Sequence, residues 1–296
     1  MRKYTSKILL FGEHSIIKGS QALAMPLPLF FGNWEKTQSA NLQMNLLEFA
    51  NYLKKLQNEN VLLCDLDVDR FQTELDEGLY FKSNIPTGYG VGSSGALCAG
   101  VYDSFGKNKL EKKEQNFLTL KKIFAQLESF FHGSSSGTDP LICYLEKTLL
   151  LESKEIIRAV NFSKKGNYQL FLLDTKIQRE TEPLVNLFLE KCKEEHYFAR
   201  IQAELNPSVD EAIAAFLSQN INVLFEKFHE LGHFQFKYFS EMIPNDFRGV
   251  WLDALASDSF KLKLCGAGGG GFILGIALNF EKTMAELSDY TLIPLT

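Results

Sequence analysis

Glycines and paired serines crowd the segment PTGYGVGSSGAL, which covers Pro86–Leu97. Backbone N–H groups in such a loop, together with the positive end of a following helix, can surround phosphate oxygens. The strand-like LYFKSNIP precedes the segment and small or apolar residues at helical spacing follow it, so the loop joins a strand to a helix. A tight turn with an ordinary serine cap explains the same residues equally well. The candidate phosphate contacts are Gly88, Gly90, Gly92, Ser93, Ser94 and Gly95.

Two familiar nucleotide signatures do not fit this loop. A Walker A motif starting at Gly90 needs a lysine at the position that Ala96 occupies. A dinucleotide-binding GxGxxG needs a second strand ending in an acid about 20 residues later, where the chain has the charged run KNKLEKKE. The positive charge that phosphates require must therefore come from another part of the chain.

A zinc protease is the competing chemistry, because HELGH at His229–His233 fits the HExxH pattern. Two histidines one helical turn apart still need a third protein ligand. Phe236 and Phe239 stand where a metzincin would continue with glycine and histidine. We therefore favour core or surface histidines on an amphipathic helix and keep the zinc site as an alternative.

Composition limits the class of protein. The chain has 296 residues, 45% of them apolar, which is enough for one large domain or two of ordinary size. The patterning divides near residues 150–160 into two halves that each mix helices and strands. A net charge of −5 without a basic face argues against nucleic acid as the main partner.

The cysteines and the hydropathy predict the setting. Five cysteines without CxxC spacing indicate unpaired thiols and hence a reducing, cytoplasmic environment. No apolar run reaches the length of a signal peptide's hydrophobic region or of a membrane span. We therefore expect no membrane partner.

Three further stretches accompany the opening loop: SKILLFGEHSIIKGSQALAMPL (Ser6–Leu27), HGSSSGTDP (His132–Pro140) and KLCGAGGGGF (Lys263–Phe272). In their order and spacing the four stretches resemble the GHMP kinases over nearly the whole chain. Within that superfamily, two segments resemble the mevalonate kinase branch: KILLFGEHSIIKG, which precedes the loop, and HGSSSGTD, which follows it. An asparagine and a proline often stand there in place of Ser134 and Ser135.

The resemblance implies an α+β, two-domain GHMP kinase fold. Its N-terminal nucleotide-binding α+β domain would cover residues 1–155, and its ferredoxin-like C-terminal α+β domain would cover residues 156–296. It also implies ATP and Mg2+ as cofactors and a small-molecule acceptor, mevalonate or a similar hydroxy acid. A homodimer is left open.

The same resemblance assigns the phosphoryl-transfer residues. Lys7 and Asp139 match the catalytic lysine and aspartate, so the positive charge missing from the loop would come from Lys7. Ser94 and Glu128 match the metal ligands; Glu128 and His132 lie one helical turn apart and share a helix face. Taken singly, Lys7 could be an edge-strand lysine, Asp139 a turn cap and Glu128 a surface carboxylate.

Acceptor contacts are implied at Glu13, His14, Arg179, Thr181 and Gly268. A guanidinium fork such as that of Arg179 suits a carboxylate, although a surface arginine at a helix entry is nearly as good an interpretation. Phosphomevalonate, homoserine or a sugar are alternative acceptors. A GHMP-fold protein that binds without catalysis is a further alternative.

Overall fold

A computed structural model describes residues 2–37, 44–153, 155–161 and 166–295. The helical periodicity of residues 41–56 corresponds to a helix over Met44–Asn58, and positions 41–43 lie outside the described residues. Within the described ranges the strands form two antiparallel sheets. None of the helices in those ranges combines the length and the apolar character needed to cross a bilayer.

The first sheet is built around one long strand. This strand, β2, pairs antiparallel with β1, β3 and β4, and β4 pairs in turn with β5. The strands are β1 (Tyr4–Phe11), β2 (Ala22–Lys36), β3 (Leu79–Ser83), β4 (Leu149–Leu151) and β5 (Ile157–Ala159). Because β5 pairs with β4, the first sheet extends to Ala159, slightly beyond the domain boundary expected at residue 155.

Five helices accompany this sheet: α1 (Met44–Asn58), α2 (Val68–Asp76), α3 (Ser93–Phe105), α4 (Phe117–His132) and α5 (Thr138–Leu145). The first two turns of α3 carry small buried residues, among them Gly95 and Ala96. Small side chains let α3 approach β1 and α5 closely. A Cβ atom on Gly100 would already lie 3.1 Å from the Phe81 ring.

The second sheet has the strand order β7-β8-β6-β9. Its strands are β6 (Gln169–Asp174), β7 (Phe260–Leu264), β8 (Phe272–Ala277) and β9 (Thr291–Pro294). The accompanying helices are α6 (Thr181–Lys191), α7 (Glu195–Arg200), α8 (Asn206–Ser218), α9 (Ile221–Tyr238), α10 (Arg248–Ala256) and α11 (Phe280–Glu286).

The apolar core continues from one half of the chain to the other. Phe11, at the end of β1, packs its ring against Phe216 of α8 and Phe228 of α9, with centroids 6.0 and 5.7 Å away. Fully buried aromatic rings contribute strongly to core stability. The residues of β1 are thereby held against helices from the second half of the chain.

Candidate active site

Lys7 and Asp139 lie side by side. The Nζ atom of Lys7, on β1, is 2.8 Å from Oδ2 of Asp139, in the first turn of α5. The Lys7 side chain is 7% exposed and the Asp139 side chain 37%, so the ammonium is buried beneath a carboxylate that faces outward. The Lys7 backbone N–H also donates to the Val91 carbonyl at 3.0 Å. Lys7 therefore joins β1 to both the glycine loop and α5.

The glycine loop, residues 86–92, ends where α3 begins. Three of its glycines adopt a backbone conformation that other residues rarely adopt. Gly88, Gly90 and Gly92 have φ of 74°, 70° and 83°, which is the left-handed region that favours glycine. Gly95, in the first turn of α3, is packed so closely that a Cβ atom would lie 3.0 Å from the Asp139 carbonyl carbon. The N-termini of α3 and α5 therefore meet, and both present their positive ends to the same place.

Ser94 and Glu128 form an oxygen-lined site next to this meeting point. Ser94 Oγ donates to Glu128 Oε1 at 3.0 Å. Glu128, on α4, is 5% exposed. Burial, and then the nearby Asp139 charge, raise the pKa of Glu128 to about 7. Crowded carboxylates beside a hydroxyl are hard oxygen donors that a cation would stabilise, so the residues fit Mg2+.

Two contacts here have no counterpart in the sequence-based expectations. His132 Nε2 lies 3.0 Å from Ser94 Oγ, and Ser135 Oγ donates to Glu128 Oε2. The helical spacing of Glu128 and His132 indicates that they share a face. Nothing in the triplet of serines indicates which of them turns towards Glu128.

Arg179 lies between the glycine loop and the glycine-rich turn that follows β7. Its backbone N–H donates to Gly88 O at 3.0 Å, and its Nη1 donates to Gly268 O at 2.8 Å. A Cβ atom on Gly90 or on Gly266 would lie only 1.9 or 2.6 Å from Nη2 of this arginine. The two glycines therefore leave the space that the guanidinium occupies. Thr181, the first residue of α6, is exposed.

His14 is a neutral, buried side chain of the same region. Its Nε2 lies 3.0 Å from Ala267 O, and its ring packs against Phe188 and Phe239 with centroids 5.0 and 5.4 Å away. Burial lowers the pKa of His14 to about 4. Its Nδ1 is buried without a hydrogen-bond partner among the described residues. His14 thus has one ring nitrogen available to an incoming polar group.

Glu13, which its motif predicts as an acceptor contact, is a buried side chain. Its carboxylate is paired with Lys263 of β7, and both side chains are essentially inaccessible to solvent. Lys263 also donates to Leu10 O at 2.9 Å and to Leu264 O at 2.7 Å. Burial raises the pKa of Glu13, and the Lys263 charge opposes this shift. The pair lies beneath the site and ties β7 to the segment after β1; no sequence signal joins two residues so far apart.

The glycine-rich turn, residues 266–271, packs against the glycine loop. Gly271 N–H donates to Ile177 O at 2.7 Å, and a Cβ atom on Gly271 would lie 2.8 Å from Tyr89 O. Gly268 contributes its carbonyl to Arg179, as described above. The turn thus closes the space around Arg179.

The HELGH segment lies within α9. Its glutamate, Glu230, accepts hydrogen bonds from Lys227 at 2.9 Å and from Ser208 at 2.8 Å. Across the described ranges, no three side chains of His, Cys, Asp or Glu are grouped so that they could hold a metal ion. Glu230 is therefore engaged in an ion pair on the helix surface.

A family model described as the GHMP kinases N terminal domain matches residues 47–147. Mevalonate kinase of Methanocaldococcus jannaschii is 27% identical over 312 residues, which cover 96% of this chain and 93% of that protein. This match thus extends well beyond the part of the chain that the family model covers.

Solved structures share the fold. L. major mevalonate kinase in complex with R-mevalonate superposes with a TM-score of 0.66 at 16% identity, covering 100% of this chain and 97% of the other. Streptococcus pneumoniae phosphomevalonate kinase in complex with phosphomevalonate and AMPPNP gives 0.69 at 13% identity, with 100% and 98% covered. Because both identities are low, these likenesses concern the fold alone.

Proposed function

We propose that this chain, a member of the GHMP kinase superfamily with similarity to mevalonate kinases, transfers the γ-phosphoryl group of ATP to the primary hydroxyl of mevalonate. The observation that carries the proposal is the 2.8 Å contact between Lys7 and Asp139 where the N-termini of α3 and α5 meet. Phosphoryl transfer needs anion stabilisation and a group that orients the attacking hydroxyl.

The phosphate end of ATP would be held by backbone N–H groups of residues 88–95 and by the positive end of α3. Ser94 and Glu128 would hold Mg2+, which neutralises phosphate charge when it is bound. Lys7 would offset the charge that develops on the transferred group. Its buried position supports this role, since an ammonium shielded from water interacts more strongly with anions.

Asp139 would orient the acceptor hydroxyl and accept its proton. The carboxylate is half-exposed and faces the site, while the Lys7 ammonium contacts it from beneath at 2.8 Å. As the proton leaves the hydroxyl oxygen for Asp139, that oxygen forms its bond to the γ-phosphorus and the bond to the β-γ bridging oxygen breaks. ADP is the leaving group.

The acceptor would lie between Arg179 and His14. A guanidinium that is fixed by Gly268 O suits one carboxylate, and the free Nδ1 of His14 can accept a hydrogen bond from a hydroxyl. Thr181 is close in sequence to Arg179 and would add a hydroxyl contact. Mevalonate carries both a carboxylate and hydroxyls, and R-mevalonate is the ligand named for the L. major structure.

The setting belongs to the same proposal. Cys64, Cys98, Cys143, Cys192 and Cys265 are all free thiols, which supports a reducing, cytoplasmic environment. Nucleic acid and membrane partners are not part of the proposed function, and a homodimer remains a prediction.

The proposal is tested by an ADP-release assay over mevalonate, phosphomevalonate, homoserine and galactose, with Asp139→Asn measured in parallel. We expect mevalonate to be the best acceptor. The variant should bind ADP nearly as the wild type does but turn over at least about a hundredfold more slowly, because it lacks the general base. Preference for another acceptor would reject mevalonate as the substrate. Full activity of Asp139→Asn would reject the role of Asp139 as general base.

A further inference from the structure

The three serines between α4 and α5 have different surroundings. Ser135 Oγ donates to Glu128 Oε2, whereas Ser136 Oγ donates to Thr138 Oγ1 at 3.1 Å. Ser134 is exposed, and its backbone N–H donates to His132 O at 2.7 Å. Of this triplet, Ser135 is the member whose hydroxyl contacts the carboxylate of Glu128.

The Glu128 carboxylate receives a hydroxyl on each oxygen. Ser94 donates to Oε1 and Ser135 donates to Oε2. Because the Ser94 hydrogen points at Glu128, the contact between His132 Nε2 and Ser94 Oγ requires His132 to donate. Ser135 Oγ in turn accepts from the Gly137 N–H at 3.0 Å. Two chains of hydrogen bonds therefore run towards the same carboxylate.

A glutamate held at one oxygen only could still rotate about its terminal bonds. The nearby carboxylate of Asp139 carries a like charge, so electrostatic repulsion would rotate an unrestrained Glu128 carboxylate away from it. A hydroxyl on the second oxygen removes that freedom and holds the carboxylate in one orientation.

We propose that Ser135 is a positioning residue that fixes the Glu128 carboxylate for binding of the nucleotide-associated divalent cation. This inference rests on the proposed function and adds to it a residue that acts only through Glu128. Gly137 N–H orients Ser135, so the first turn of α5, which carries Asp139, is coupled to the cation site. The two halves of the reaction site are thereby linked through one side chain.

The test measures cation binding directly. Mn2+ is titrated into the protein with a non-hydrolysable ATP analogue, and free Mn2+ is followed by electron paramagnetic resonance. Ser135→Ala should raise the Kd for Mn2+ at least about tenfold, the scale of one lost hydrogen bond to a charged group. Ser134→Ala should change it less than about twofold, and Ser135→Thr, which keeps the hydroxyl, should stay close to wild type.

A double-variant cycle separates positioning from a general loosening of α5. In a Glu128→Gln background, Ser135→Ala should add little, because its target is no longer a carboxylate. An unchanged Kd in Ser135→Ala, or an equal loss in the Glu128→Gln background, would overturn the inference while leaving the kinase proposal intact. Failure of the wild type to bind Mn2+ with the analogue would instead overturn both.

Discussion

Charged and polar side chains of the site differ sharply in how they are supported. Lys7 is buried and held by Asp139, whereas Asp139 itself is open to the side from which a substrate could approach. His14 is buried and neutral, and its ring packs against two phenylalanine rings that also contact each other. Each of these side chains is therefore fixed before any ligand arrives, which lowers the entropic cost of forming a reactive complex.

The buried imidazole makes stability depend on pH. Burial lowers the pKa of His14 to about 4, while an unfolded histidine titrates near 6.5. As the pH falls below about 6.5 the unfolded state takes up the proton first, so the free energy of unfolding decreases until about pH 4 and is unaffected above 6.5.

We expect His14→Asn, which tolerates the positive φ of this position, to remove that dependence. Between pH 7 and pH 5, urea unfolding of the wild type should lose about 2 kcal/mol more than the variant does. The exposed His196 provides the control, since His196→Asn should keep the wild-type slope. Parallel slopes for His14→Asn and the wild type would contradict the burial argument.

The sequence indicates the motif residues of the site but not the buried side chains that pack beneath them. The GHMP resemblance directs attention to Asp139, which lies in the part of the chain that the family model matches, and to Lys7, which lies outside it. The sequence does not indicate that Lys263 is buried, because the alternation FKLKL predicts a strand with one solvent-facing side. In the structure β7 is buried on both faces, and its lysines reach backbone carbonyls or Glu13 instead of water.

Helix entry at α5 is the element that brings Asp139 into place. Gly137 precedes α5 and Gly133 follows α4, with nearly equal φ of 71° and 68°. A Cβ atom on Gly137 would lie 2.0 Å from Lys121 O, whereas one on Gly133 would meet nothing within 4 Å. The two glycines thus share a positive φ, but their ψ angles of 6° and −48° differ, and so does their packing.

Alanine at both positions separates these effects. Gly133→Ala should cost about 1–3 kcal/mol, the strain of a non-glycine residue in a sparsely populated region of positive φ. Gly137→Ala should cost at least about 2 kcal/mol more, because α4 and α5 must move apart. Chemical denaturation measures both. Equal losses would show that the close approach of α5 to Lys121 is unimportant.

The sequence patterns do not indicate α5. Glycine and serine dominate the segment HGSSSGTDP, which therefore predicts a small-residue turn. In the structure α5 begins at Thr138, so Pro140 stands in the first turn, where a missing N–H is tolerated. The preceding loop-to-helix prediction agrees with α3, which begins at Ser93.

At the scale of the molecule, one buried ion pair crosses from the first sheet to the second. Lys263 of β7 binds Glu13 and the carbonyl of Leu10, the penultimate residue of β1. Removing one partner of a buried pair leaves an uncompensated charge, at a cost of about 3–5 kcal/mol. The pair therefore makes the two sheets depend on each other.

We expect Lys263→Met to lower the free energy of unfolding by about that amount. Lys36→Met is the control, since the Lys36–Glu77 pair, at 2.9 Å, is also a lysine–glutamate contact but lies on the surface and should hardly affect stability. Urea titrations followed by tryptophan fluorescence compare the two. A Lys263→Met protein as stable as the control would argue that the sheets are held together without this pair.

The turn at residues 266–271 has a consequence for sequence variation. Its five glycines all have positive φ, and a Cβ atom on any of them would come within 2.8 Å of a neighbouring atom. No ionisable or nucleophilic side chain is present in this turn. Selection must therefore preserve the absence of side chains at these positions. A segment without reactive groups is thus among those that tolerate substitution least.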